Sequence, residues 1–186
     1  MSFEHTVRIP KERIGVLIGR GGSVKEEIER RCGVSLDIDN VTGEVTVRLK
    51  GKLEEADPFL AVRIVTAIGR GFSPERAFRL LDETNTLEVI DLRDYVGKSE
   101  NALRRIRGRI IGMKGKARRT IEELTNTYIS VYGRTVAIIG DIDGITMARE
   151  AVEMLAEGRE HATVYRHLER LRRKAKMERM GLWLKE

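Results

Sequence analysis

The chain has 186 residues, 41% hydrophobic and 34% charged, with 35 Lys and Arg against 29 Asp and Glu and a net charge of +6. That apolar content excludes a disordered chain and suffices for one mid-sized core or two small ones, and the positive balance favours an anionic partner on a well-solvated, heat-tolerant surface. The lone Cys32 excludes an internal disulfide and a cysteine-based metal cluster, and no apolar run approaches the ~18 residues a bilayer span needs, so a soluble, cytoplasmic protein is expected, without membrane, metal or cofactor.

In chain order, His5 to Ile9 reads as a short strand ended by Pro10, and Lys11 to Ile18 as a short helix broken by glycines. Ser23 to Arg31 is helical and Gly33 stops it. Val34, Leu36 and Ile38 alternate with polar residues, and Asn40 to Gly43 turns the chain into a second strand through Val45, Val47 and Leu49. Asp57-Pro58 is a cap followed by a first-turn proline, and Ala61, Ile64, Val65 and Ile68 make the buried stripe of the helix they open. From Gly69 to Thr86 a structured linker is expected, with a short helix begun at Ser73-Pro74. A strand through Leu87, Val89 and Ile90 follows, then a helix capped by Ser99 that carries Leu103 and Ile106. Lys116 to Leu124 is helical, Tyr128 to Tyr132 and Thr135 to Ile139 form a hairpin, and Ile145 to Leu155 supplies a last amphipathic helix. Beyond Gly158 the chain is basic, with Arg166, Arg170, Arg172, Arg173, Lys174, Lys176 and Arg179 in an expected helix.

This order contains a repeat. Leu17-Ile18-Gly19-Arg20-Gly21-Gly22 returns 93 positions later as Ile110-Ile111-Gly112-Met113-Lys114-Gly115, and the same offset aligns Gly15 with Gly108, Ile28 with Ile121, Leu36 with Ile129 and Ile38 with Val131. Each unit runs strand, helix, helix, strand, strand, helix. The expected fold is therefore α+β, with a first unit over 1–70, a helical linker over 71–86, a second unit over 87–158 and a basic carboxy-terminal helix over 159–186.

A Gly-x-x-Gly turn between two helices removes the side chain that would hold a polynucleotide backbone away. The helix that starts there directs its unpaired amides and positive dipole end at phosphate. Bases splayed beside such a clamp can lie on an aliphatic floor, where Ile18 and Ile111 are placed, and be read at their Watson-Crick edges. The second turn has the denser charge: between Leu103 and Arg119 lie Arg104, Arg105, Arg107, Arg109, Lys114, Lys116, Arg118 and Arg119 without one acid. The first is surrounded by Lys11, Arg13, Arg20 and Lys25, diluted by Glu12 and the glutamates that follow.

Nucleotide-binding patterns fail on spacing. A Walker loop ending at Gly115-Lys116 would need glycine where Ile110 stands and a hydroxyl where Ala117 stands, and Gly19-x-Gly21 is followed by Val24, not by the third Rossmann glycine. His5, His161 and His167 are dispersed, no catalytic triad or metal spacing is visible, and Asp141 and Asp143 read as caps of the last helix. A protein that acts by binding, not an enzyme, is expected.

The stretch from Ile110 to Arg119, continued by Tyr128-Ile-Ser-Val-Tyr-Gly-Arg-Thr-Val-Ala-Ile-Ile-Gly140 and by Thr163 to Arg170, resembles the archaeal KH-domain ribosomal RNA processing proteins, relatives of the eukaryotic small-subunit assembly factor that partners the Nob endonuclease. The resemblance covers essentially the whole chain. It implies two tandem type I KH domains, each a three-stranded antiparallel sheet with helices on one face, and a role in maturing the small ribosomal subunit near the 3′ end of its RNA. Single-stranded rRNA, the maturation endonuclease and the alpha subunit of archaeal initiation factor two are the implied partners. Carried over by position, the principal clamp is Gly112, Met113, Lys114 and Gly115 with Ile111, Arg107, Arg109, Lys116, Arg118 and Arg119; the first unit offers Gly19, Arg20, Gly21, Gly22 and Ile18. The eukaryotic relatives are degenerate at the first turn, whereas here it is intact. The alternative is a protein-docking scaffold that recruits the endonuclease or the initiation factor subunit, with RNA binding secondary; an RNA-cleaving enzyme is the third reading.

Overall fold

A computed structural model describes residues 2–183, and the contacts divide them into two units, one running through Leu87 and the other from Glu88 onward. The first unit is β1 (Glu4–Arg8), α1 (Lys11–Ile18), α2 (Ser23–Cys32), β2 (Val34–Ile38), β3 (Glu44–Leu49), α3 (Pro58–Gly69) and a one-turn helix α4 (Pro74–Ala77). The second is β4 (Thr86–Asp91), a one-turn α5 (Arg93–Val96), α6 (Glu100–Ile111), α7 (Lys116–Thr125), β5 (Tyr128–Tyr132), β6 (Thr135–Gly140), α8 (Ile142–Ala156) and α9 (His161–Trp183).

Each unit has one three-stranded sheet with the last strand in the middle, ordered β1-β3-β2 and β4-β6-β5. The hairpin registers, Leu36 opposite Val47 and Ile129 opposite Ile138, turn the alternate aliphatics of both strands to one face. In the first unit Val45, Val47, Ile28, Cys32, Ile64 and Ile68 are fully buried, with α3 lying across α1, α2 and β3. In the second, Ile110, Ile121, Val136, Ile138, Val152 and Leu155 fill the equivalent core. Each such side chain contributes about 1.5–3 kcal/mol by leaving water.

The boundaries follow local chemistry. Asp57, Ser73, Ser99 and Asp141 each accept a hydrogen bond from the backbone N–H three residues on, as helix caps do. Gly33 and Asn126 end α2 and α7 in the left-handed conformation, at φ 65° and 53°, 93 positions apart like the turn glycines. The hairpin loop is shorter in the second unit, so from β6 onward the offset falls, and β6 runs directly into the cap of α8.

The segment 71–86 is part of the first unit rather than a bridge: Phe72, Ala77 and Leu80 are buried, and α4 packs on α3. The basic carboxy-terminal helix is likewise rooted in the second unit, because Val164 and Leu168, four residues apart on one face, are buried against α7 and α8. The three carboxy-terminal residues of the segment assigned to that helix, 184–186, lie outside the described residues.

Candidate nucleic-acid interface

The two glycine turns have the same backbone. Gly19 and Gly112 sit at φ 74°, ψ 176° and φ 72°, ψ 177°, a region open only to glycine. A Cβ on Gly19 would lie 2.8 Å from the Val24 nitrogen, and one on Gly112 would lie 2.8 Å from the Ala117 nitrogen and 2.6 Å from the Ala117 Cβ. Close approach of the turn to the next helix thus fixes both glycines. Gly22 and Gly115 close the turns at φ 80° and 77°. Neither α2 nor α7 has a side chain capping its amino terminus; the first amide of each, at Ser23 and Lys116, donates to the Arg20 and Met113 carbonyls within the turn.

A second feature repeats at the same offset. The Glu29 carboxylate accepts a hydrogen bond from the Leu36 N–H at 3.0 Å, and Glu122 accepts one from the Ile129 N–H at 2.8 Å. Each glutamate also meets a cation one turn earlier: Lys25 to Glu29 at 3.9 Å, Arg118 to Glu122 at 2.6 Å. These carboxylates fasten the helix behind the turn to the strand beside it. The signal was legible in the sequence as a Glu at equivalent positions, but only the strand contact shows its role.

In the first unit the groove between this helix and strand has a volume of about 440 Å3, with Ile18, Leu36 and Ile38 as aliphatic floor and Lys25, Glu26, Glu29 and Asp37 on its sides. Residues at the same offset in the second unit are Ile111, Ile129 and Val131, then Arg118, Arg119, Glu122 and Ser130. The charge beside the last glycine of the turn therefore reverses between units, although Arg20 gives the first turn a cation where the second has Met113. The position of a Cβ on Gly22 is 3.8 Å from the Glu26 carboxylate, whereas that on Gly115 is 3.1 Å from the Arg119 guanidinium and 3.6 Å from that of Arg118. Met113 is 84% exposed at the tip of the second turn, and Lys114, also exposed, holds φ 53°, where the first unit has Gly21.

The expected cations do not all serve one surface. Lys114, Lys116 and Arg119 are exposed around the turn, while Arg107 and Ile111 are half-buried and, with Arg104, follow one face of α6 at spacings of three and four. Arg109 points elsewhere: its Nε donates to the Leu155 carbonyl at 3.3 Å and its guanidinium also donates to the Arg159 carbonyl. Arg13 does the same in the first unit, donating to Ile68 at 2.8 Å and Phe72 at 2.7 Å. Both arginines satisfy carbonyls at the end of the last core helix and are drawn away from the turn. Arg118, Lys25 and Arg105 are also engaged internally, through Glu122, Glu29 and the Asn101 carbonyl.

Elsewhere, burial pushes the Cys32 thiol up to about 11, which keeps it protonated and inert beneath β2. Among the described residues no three His, Cys, Asp or Glu side chains gather as metal ligands would, and no helix is long and apolar enough to cross a membrane.

Comparison with known proteins meets this geometry directly. Residues 4–58 match the KH domain, and residues 86–173 match the eukaryotic type KH-domain, KH-domain type I. A KH domain-containing protein of Methanocaldococcus jannaschii, MJ0443, is 49% identical over 97% of this chain and 79% of its own length. The chain belongs to the KH-domain family. Dim2p from Pyrococcus horikoshii, as a crystal structure, is 50% identical to this KH protein with a TM-score of 0.83, covering 90% of this chain and 99% of that one. A crystal structure of the a/eIF2alpha–aDim2p–rRNA complex from the same organism matches at 50% identity and TM-score 0.86, over 93% of this chain and 96% of that chain. Both KH units, each with its sheet and packed helices, are thus shared with the Dim2p proteins, to which this chain is homologous.

Proposed function

We propose that this protein binds single-stranded RNA of the small-subunit rRNA 3′ region through its second KH groove and acts in small-subunit rRNA processing. The carrying observation is the turn at Gly112–Gly115, where α7 begins without a side-chain cap, Lys114 and Lys116 are exposed and the Arg119 guanidinium approaches Gly115, next to the aliphatic positions Ile111, Ile129 and Val131. The related Dim2p solved with rRNA and a/eIF2alpha supports the RNA and the translation factor subunit as partners. The maturation endonuclease is the further partner in this reading, and the protein acts in the cytoplasm by positioning RNA and partners rather than by chemistry of its own.

The test is a salt-controlled titration of a single-stranded small-subunit 3′-end oligonucleotide against a scrambled one, with wild type and the Met113→Asp/Lys114→Asp protein. Wild type is expected to prefer the native sequence, and the double variant to lose about tenfold or more of that affinity, because two negative charges enter and one positive charge leaves at the phosphate-facing turn. Equal binding by the variant would move recognition to the first unit or to α9. Equal binding of both RNAs by wild type would remove the rRNA reading.

A further inference from the structure

We propose that the distal half of α9, residues 169–179, is a phosphate-binding arm for RNA that continues beyond the second KH groove; this rests on the reading that the groove holds RNA. The helix has two halves of different character. Its proximal half is fixed: Val164 and Leu168 are buried, the His161 Nε2–H donates to the Arg109 carbonyl at 2.8 Å, and His167 meets the Glu150 carboxylate at 2.9 Å. Arg109 lies three residues before Gly112, so the root of α9 is tied to the helix that leads into the clamp.

The distal half carries Arg170, Arg172, Arg173, Lys174, Lys176 and Arg179 against Glu169 and Glu178, and all eight are exposed. A merely solvated helix pairs such cations with acids one turn away. Glu169 and Arg173, or Lys174 and Glu178, have that spacing, yet none of the six cations forms an ion pair among the described residues. Elsewhere in the same unit Arg93, Arg118 and Arg149 are paired with Asp91, Glu122 and Glu88.

The face matters as much as the count. Leu171 and Ala175, both half-buried, continue the line of Val164 and Leu168, and the cations occupy the remaining circumference. Arg170, Arg173 and Lys174 border one shallow groove with Met177 and Glu178, three cations to one acid. A membrane-surface helix would need a broad apolar face with large side chains outward, whereas between 169 and 180 the exposed apolar residues are Met177 and Met180 alone. Unpaired cations spread around a rigid rod suit a polyanion contacted at its backbone, without base specificity. At about 1.5 Å per residue, Arg170 to Arg179 lie roughly 13–27 Å along the axis from His161, beyond the few nucleotides that one KH groove accepts.

The experiment measures binding of the full chain to a hexanucleotide that fills the second groove and to the same hexamer extended by a dozen nucleotides on each side. The Arg170→Gln/Arg173→Gln/Lys174→Gln/Lys176→Gln protein is expected to bind the hexamer like wild type but to lose about tenfold on the extended RNA, with a salt slope shallower by about 2–3. Arg170→Lys/Arg172→Lys/Arg173→Lys should bind both RNAs like wild type, because phosphate contact here needs charge rather than a planar fork. The single variant Arg173→Gln should lower the slope by a fraction of the full effect, which guards against a folding defect in the quadruple variant. Unchanged binding of the extended RNA by the quadruple variant overturns the arm and leaves the distal helix to a protein partner. Met113→Asp/Lys114→Asp separates the two readings: if it binds the hexamer like wild type, the clamp reading falls and the arm loses the groove it was to extend; if wild type itself binds the extended RNA no better than the hexamer, the arm falls alone.

Discussion

The two KH turns are built on one backbone and surrounded by different charge. Gly19 and Gly112 share their dihedral angles to within a few degrees, Gly22 and Gly115 likewise, and Glu29 and Glu122 hook the same helix to the same strand. Around this common frame Glu26 faces the first turn where Arg119 faces the second, Asp37 stands where Ser130 does, and Gly21 where Lys114 does. The comparison separates two jobs that a single clamp would confound. Glycines and uncapped amides make a place for a phosphate backbone, and the side chains around it set how strongly, and with what salt dependence, a polyanion is held.

The hardest break of the shared frame is at its first glycine. Gly112→Ala places a Cβ 2.8 Å from the Ala117 nitrogen, in a conformation closed to alanine, and Gly19→Ala does the same against Val24. Each substitution is expected to cost about 3 kcal/mol. By calorimetry each should lower the melting temperature of its own unit by about 10 °C or more. The RNA consequence should be unequal: Gly112→Ala removes most affinity for the 3′-end oligonucleotide, and Gly19→Ala leaves most of it. Equal loss would mean that both grooves grip with similar strength despite their charges.

A gentler intervention exchanges charge and leaves the frame alone. Arg119→Glu gives the second turn the side chain of the first, and Glu26→Arg makes the reverse change. The former should weaken RNA binding about tenfold and reduce the salt slope by about 0.7, the amount one phosphate contact contributes on a single strand; the latter should strengthen binding a few-fold and steepen the slope by a similar amount. Anisotropy titrations at three salt concentrations read both quantities. Slopes that do not move would place Arg119 outside the path of the phosphates.

Much of this frame was legible before any coordinates. The repeat offset, the Gly-x-x-Gly turns, the caps at Asp57, Ser73, Ser99 and Asp141, and the alternation through Val34, Leu36 and Ile38 are local signals, carried by residues within a few positions of one another. What the sequence hid depends on partners far along the chain. Arg109 sits in an unbroken basic run and reads as one more clamp residue until its guanidinium is found on carbonyls 46 and 50 positions away. Arg13 likewise reaches 55 and 59 positions. Glu29 and Glu122 stand at the repeat offset, yet nothing local marks the strand amides of Leu36 and Ile129 as their partners. The roots of α9 were visible only as Val164 and Leu168, an i, i+4 pair that its surrounding charge masks.

The subtlest difference between the turns is the residue before the last glycine, Gly21 at φ 61° and Lys114 at φ 53°. A left-handed lysine costs ~1–2 kcal/mol relative to a relaxed backbone, and glycine in its place costs about 0.5–1 kcal/mol of extra freedom in the unfolded chain. Lys114→Gly should therefore stabilise the second unit, by about 0.5 kcal/mol, and raise its melting temperature by about 2–4 °C. The same variant loses a cation at the turn and should bind the 3′-end RNA a few-fold more weakly. Opposite signs in the two measurements are what a strained residue retained for its charge produces; a loss in both would make Lys114 a structural residue instead. Gly21→Lys closes the comparison from the other side, since it should cost the first unit a similar fraction of a kcal/mol while adding a second cation beside Arg20.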